Sequence, residues 1–187
     1  KMFNAEKVAN LRAQGVQVET AESFDVMLEA VDLGGRSARD VRPKHDEQCK
    51  GLPAELHLAV GIPVMLRDNE DTRDGLVNGA LGKVTDWNLQ EGWVAVKFND
   101  ARVGAKRRHF HDGVLEDGSI LIGLLYKRFP SSEGHAMASY QYPLVNAWAT
   151  TVHKAQGRSE DVICTALGAK MGQSKGMAYT ALSRVRR

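Results

Sequence analysis

Trp148-Ala-Thr-Thr-Val-His-Lys-Ala-Gln-Gly157 leads into the apolar run Val162-Ile-Cys-Thr-Ala-Leu167 and then into Ala178-Tyr-Thr-Ala-Leu-Ser-Arg-Val-Arg-Arg187. The pattern predicts a strand over 144–149, a short helix over 151–156, a strand over 162–166 and a helix over 175–183. Alternation of this kind builds an α/β layer, with polar groups gathered at two neighbouring loops. Thr150 or Thr151 is suited to cap the short helix, whose unpaired N–H groups would then face an anion. Thr151 and His153 add side-chain donors for a phosphodiester oxygen. A lone histidine is usually an ordinary surface or core residue; beside Thr151, Lys154, Gln156 and Gly157 that bland reading loses its weight. Arg184 ends the second helix, where a cation is favoured by the helix C-terminus. The sharper reading is a fixed guanidinium fork that neutralises charge on a transferred γ-phosphoryl group.

Upstream the chain changes character. Asn78-Gly79 is a hairpin signal, and Gly82 to Trp87, Trp93 to Phe98 and Ser119 to Gly123 follow as short alternating segments separated by Gly, Asn and Asp. Such spacing predicts a small β-barrel over 75–126. Trp87 and Trp93 flank these strands, which makes them core residues in preference to exposed anchors. Further upstream, Asn4 is expected to cap a helix over 5–14, with Glu6 in its first turn, Val8 and Leu11 on its apolar face and Gly15 at its end. Val16 to Thr20 alternates like a half-buried strand. Leu33 to Leu52, with Gly34-Gly35 and Pro43, reads as an exposed charged loop, and Leu56 to Val60 and Pro63 to Leu66 read as strands.

The 187 residues allow one domain with a sizeable core or two small ones. No apolar run approaches the ~20 residues of a membrane helix, and no signal peptide is visible. Cys49 and Cys164 are far apart without metal spacing, so a reducing compartment with two reduced thiols is expected. The net charge of +2 decides nothing by itself, but its distribution is uneven. Arg102 to His111 and Lys170 to Arg187 are basic stretches without an acid, the footprint of phosphate binding or of a solvated loop. No Gly-x-x-x-x-Gly-Lys-Ser/Thr loop occurs, and no acid pair follows an apolar strand, so the chain alone is expected not to hydrolyse a nucleotide. Both ends read as cut, and a fragment of a larger protein is expected.

Leu52-Pro-Ala-Glu-Leu-His-Leu-Ala-Val-Gly-Ile-Pro-Val-Met-Leu-Arg-Asp-Asn69, Gly75-Leu-Val-Asn-Gly-Ala-Leu-Gly-Lys-Val84, Ala147 to Gly157 and Tyr179-Thr-Ala-Leu-Ser-Arg184 together resemble the C-terminal half of the Pif-type DNA helicases, relatives of RecD in superfamily 1. Asn4 to Asn10 resembles the motif that opens that family's second RecA-like domain. The resemblance implies an α/β fold: a second RecA-like motor domain, 1–74 and 135–187, interrupted at 75–134 by a small β-barrel of the Src-homology-3 type. It implies an ATP-dependent 5′-to-3′ DNA helicase, inactive without its first RecA-like domain. Thr151 and His153 would touch the DNA backbone; Gln156, Gly157 and Arg184 would approach the nucleotide, with Arg184 as the catalytic finger. ATP is the implied cofactor, with Mg2+ held by the missing N-terminal half and no metal ligand in this chain. The implied partners are single-stranded DNA, duplex junctions and that first domain; no membrane is involved. The implied location is intracellular: nucleus or mitochondrion in a eukaryote, cytoplasm in a bacterium. Ser159 and Glu160 depart from the family pattern, which often has Thr and an apolar residue at these positions. Two other functions compete: a non-catalytic single-stranded nucleic-acid-binding fragment, and a protein-interaction barrel using Trp87 and Trp93.

Overall fold

The computed structural model describes residues 2–149, 176–183 and 185. The chain divides into two units, Lys1–Trp148 and Ala149–Arg187, which are described separately. In the first, helix α1 (Met2–Ala13) ends at Gly15, whose φ is +78°. The Gly15 N–H donates to the Arg12 carbonyl and the Val16 N–H to the Leu11 carbonyl, each at 3.0 Å. This is the paired closure that a left-handed glycine permits. It also explains why Val16 is not in a strand. The alternating pattern at 16–20 competes with the helix stop, and the first strand, β1 (Glu19–Glu22), starts three residues later than expected. Asn4 is not the cap but lies inside the helix.

After β1 come β2 (Phe24–Met27), β3 (Glu55–Leu58) and β4 (Pro63–Leu66). The series continues with β5 (Leu81–Asn88), β6 (Trp93–Phe98), helix α2 (Ala105–Phe110) and β7 (Ile120–Gly123). It closes with β8 (Leu125–Pro130), β9 (Ala136–Gln141) and β10 (Leu144–Asn146). They form three antiparallel sheets, ordered β1–β3, β10–β4–β5–β6–β7 and β2–β9–β8. The five-stranded sheet is open. Its edges, β10 and β7, are not paired to each other among the described residues, so the closed barrel expected from strand spacing is not found. The sheet also crosses residue 74, because β4 pairs with β5 from Pro63↔Lys83 to Met65↔Leu81.

The strands follow the apolar pattern. Val64, Leu66, Val84, Val94, Val96, Ile120, Ile122 and Leu144 are fully buried and meet Leu56, Leu58 and Leu76 in one core. Burying side chains of this size stabilises the fold by about 1.5–3 kcal/mol each. Gly82 is required by close approach: a Cβ there would lie 2.6 Å from Val96 Cγ1 and 2.7 Å from the Lys97 carbonyl oxygen. Between Val84 and Asp86 the register shifts, leaving Thr85 as the extra residue of a bulge. Its hydroxyl donates to Ser119 Oγ at 2.9 Å. Trp87 is half-buried, packs against the core and donates its indole N–H to Glu19 at 2.6 Å. Asn78-Gly79 closes the base of an excursion instead of forming a hairpin tip: Gly79 donates to the Leu66 carbonyl and Leu66 to that of Ala80.

Residues 33–52 hold no helix or strand, as expected, but they are not simply exposed. Val41, Arg42, Pro43, Cys49 and Leu52 are buried. Cys49 joins Met27, Phe129 and Met137 in a second apolar cluster on the inner face of the β2–β9–β8 sheet. In the second unit, α3 (Met177–Leu182) is the described element. Thr180 returns both its N–H and its hydroxyl to the Gly176 carbonyl, at 2.8 and 2.9 Å.

Candidate nucleic-acid interface

The five residues to which sequence reasoning assigns binding or catalysis, Thr151, His153, Gln156, Gly157 and Arg184, lie outside the described residues. What the structure does place is the stem that carries the chain to residue 149. Strand β10 pairs with β4 through Leu144↔Leu66 and Asn146↔Val64. The Ala147 N–H donates to the Pro63 carbonyl at 2.8 Å, and Trp148 packs against the main core. Asn146 fixes three elements at once. Its Nδ2 donates to the His57 carbonyl at 2.8 Å, and its Oδ1 accepts from the His57 N–H at 3.3 Å. Its own carbonyl accepts from Asn4 Nδ2 at 2.6 Å. Asn4, read from sequence as a cap, is thus a tether between α1 and β10. Only a tertiary contact across 142 positions reveals this.

A cleft of about 520 Å³ opens here, lined by Asn4, Arg39, Lys44, Glu55, His57 and Asn146 among others. Its charges largely balance. Arg39 pairs with Glu22 at 3.3 Å and with Glu55 at 3.0 Å. His57 Nδ1 lies 3.1 Å from the Thr20 hydroxyl. Burial, and then the Arg12 guanidinium, lowers the His57 pKa below the ordinary histidine value. No set of three His, Cys, Asp or Glu among the described residues is placed to hold a metal ion. The cleft therefore offers amide and imidazole groups and a rim of paired charges.

The basic stretch 102–111 is more committed than its composition suggests. Arg102 pairs with Asp100 at 2.7 Å and Arg107 with Glu70 at 3.0 Å. Arg108 donates to the carbonyls of Ala101 and Val103. The buried Asp74 carboxylate accepts from the Lys106 N–H at 2.7 Å and the Arg107 N–H at 3.1 Å. It thereby satisfies the free N-terminus of α2, which Gly104 cannot cap with a side chain. Asp74 sits 32 positions away from Lys106, so no local capping signal marks it.

Comparison with known proteins gives a consistent picture. Residues 48–87 match the family model described as DNA helicase Pif1, 2B domain. The chain is 37% identical over 135 residues to the ATP-dependent DNA helicase PIF1 of Danio rerio, covering 70% of this chain and 18% of that protein. It is 34% identical over 141 residues to the Homo sapiens PIF1, covering 75% of this chain and 19% of that protein. Among solved structures, the crystal structure of Pif1 helicase from Candida albicans aligns with a TM-score of 0.59 at 22% identity, over 99% of this chain and 41% of that one. The Bacteroides Pif1 in complex with ADP-AlF3 and ssDNA aligns with a TM-score of 0.57 at 21% identity, over 100% of this chain and 37% of that one. The chain spans about a fifth of the length of these vertebrate relatives. Its sheets share the fold of the Pif1 helicase structures. The chain is thus similar to one part of the Pif1-type DNA helicases, with the match to their 2B domain over residues 48–87.

Proposed function

We propose that the chain is the C-terminal motor half of an ATP-dependent 5′-to-3′ DNA helicase. The observation that carries this reading is the match of residues 48–87, from the buried Cys49 through β3, β4 and most of β5, to an element described in a DNA helicase. In the proposed arrangement residues 1–74 and 135–187 belong to the second RecA-like domain, and 75–134 form an insert of the Src-homology-3 type. The bulge at Thr85 supports the curvature such an insert needs.

Thr151 and His153 contact phosphodiester oxygens in this reading. Gln156 and Gly157 approach ATP, whose terminal phosphoryl transfer supplies the free energy of movement. Arg184 presents its guanidinium to charge that develops in that transfer. The first RecA-like domain holds the phosphates and Mg2+. Single-stranded DNA and duplex junctions are the substrates. The pairing of β10 with β4 and the tether from Asn4 to Asn146 fix the chain up to Asn146, next to the segment assigned to DNA from sequence. The test is DNA-stimulated ATP hydrolysis and directional unwinding by the intact protein, compared with residues 1–187 alone. Hydrolysis and 5′-to-3′ unwinding by the intact protein, with none from the shorter chain, is the expected result. DNA binding without hydrolysis by the intact protein would replace this reading with a non-catalytic binding protein.

A further inference from the structure

The β2–β9–β8 sheet has two unlike faces. Its inner face carries Asp25, Ser139, Met27, Met137 and Phe129, all engaged in the interior. Its outer face carries an aromatic row. Phe24 is in register with Tyr140 on β9, and Tyr140 with Tyr126 on β8. The rings of Phe24 and Tyr140 are 6.2 Å apart between centroids, and those of Tyr140 and Tyr126 are 4.9 Å apart, with tilts of 44° and 49°. Phe24 is 66% exposed and Tyr140 39% exposed. The next row is Val26, Ala138 and Arg128. The Arg128 guanidinium carbon lies 5.6 Å from the Tyr126 ring centroid, and its Nε donates to the Tyr126 hydroxyl at 2.8 Å.

Phe24, Tyr140 and Tyr126 belong to neither apolar core cluster, and three adjoining rings, exposed or half-buried on one sheet face, form a contiguous apolar patch of the kind that marks an interaction surface. Arg128 is the one charged side chain in the two rows, and no carboxylate pairs with it among the described residues. Its hydrogen bond to the Tyr126 hydroxyl holds the guanidinium beside the rings, where a phosphate would meet it. Aromatic faces with an arginine beside them match a strand of unpaired bases, whose flat faces alternate with anionic backbone. An apolar protein partner would leave that cation desolvated without a counter-charge.

We propose that the outer face of the β2–β9–β8 sheet is a base-stacking platform for single-stranded DNA, with Phe24, Tyr140 and Tyr126 taking bases and Arg128 a phosphate. The proposal deepens the helicase reading, and its DNA partner rests on that reading. The test uses the intact protein, a labelled oligothymidylate and an abasic strand of equal length. Phe24→Ala with Tyr140→Ala is expected to weaken oligothymidylate binding about tenfold or more and to leave abasic-strand binding nearly unchanged. Tyr140→Phe restores binding, since the ring and not the hydroxyl stacks. Arg128→Gln lowers the magnitude of the salt slope by about 0.7. A photoreactive thymidine analogue in the strand crosslinks to this sheet in the wild-type protein, which keeps the test open if the double variant folds poorly. Unchanged oligothymidylate binding, equal loss on both strands, or a lowered melting temperature with no loss of DNA affinity and no crosslink would overturn the platform. If base-dependent binding is found but the wild-type protein shows no DNA-stimulated ATP hydrolysis, the motor reading fails and the platform stands. If hydrolysis is present and the variants bind both strands like wild type, the platform alone fails.

Discussion

The Arg42 guanidinium and the Asp25 carboxylate meet at 2.5 Å with their side chains 4% and 1% exposed. Arg42 also donates to Ser139 Oγ and to the Leu52 carbonyl, each at 2.8 Å, and lies over the Phe129 ring at 5.4 Å. Asp25 in turn accepts from the Ser23 hydroxyl at 2.9 Å. One buried cation thus ties the irregular 33–52 segment to all three strands of the β2–β9–β8 sheet. Removing one partner leaves the other charge buried and uncompensated, which costs about 3–5 kcal/mol. Arg42→Met is therefore expected to lower unfolding free energy by about that amount. Adding Asp25→Asn to Arg42→Met should recover part of the loss, since the remaining group is then neutral. Denaturant unfolding of the two variants measures this; a double variant no more stable than the single would refute the account.

Gly104 has a φ of +73°, and a Cβ there would sit 1.7 Å from Ile120 Cδ1. Gly113 has a φ of +60° with nothing within 4 Å of its Cβ position. The pair separates backbone strain from overpacking. Gly113→Ala should cost about 1–2 kcal/mol, the left-handed penalty alone. Gly104→Ala adds the displacement of a fully buried isoleucine, about 1–3 kcal/mol more. Equal melting temperatures for the two variants would contradict this.

The sequence made the strands legible where burial alternates along the chain, as at β5 and β7, and also at β4 and β6, where a short continuous apolar run is buried on both faces. It misled where two signals shared the same residues. Val16 belongs to the helix closure and also begins an alternating run, and the closure wins because it satisfies two carbonyls at once. The 33–52 segment is charged and rich in turn residues, yet Arg42 is buried because Asp25, 17 positions away, neutralises it. No local pattern encodes such a partner. The closed barrel failed for a related reason: strand spacing along the chain does not say whether the last strand returns to the first. Thr151, His153, Gln156, Gly157 and Arg184 are assigned from the sequence alone and lie outside the described residues; Asn4, Asn146 and Asp74 carry no sequence signal of their roles, which exist only across long separations.

His57 links the cleft to solution pH. Its pKa is lowered in the folded chain, first by burial and then by Arg12. A histidine lowered by folding contributes stability above its unfolded pKa of about 6.5, and that contribution is lost as pH falls through the folded value. The wild-type protein should therefore lose stability on acidification below about pH 6.5, and His57→Gln should lose less over the same interval. Thermal melting at a series of pH values between 7.5 and roughly 5, the range in which histidine changes charge, tests the slope. Parallel curves for the two proteins would dissociate His57 from the effect.

Arg184 carries the strongest claim about chemistry, and its two readings forecast opposite results. As a finger it stabilises charge that exists chiefly in the transition state, so Arg184→Ala in the intact protein should lower DNA-stimulated turnover by about 10³ to 10⁵ while DNA affinity stays close to wild type. Arg184→Lys should rescue little, because an ammonium lacks the planar fork that meets two phosphate oxygens together. As a helix-end cation, Arg184 would contribute only about 0.3–1 kcal/mol of stability; lysine would then replace it and turnover would survive in both variants. The measurement is the ATP hydrolysis rate of both variants at saturating DNA, with melting temperature as the control for folding. A folded Arg184→Ala protein that hydrolyses ATP at the wild-type rate would remove the finger assignment. A slow Arg184→Ala with a fast Arg184→Lys would reduce the requirement to a positive charge, with no demand for the guanidinium geometry.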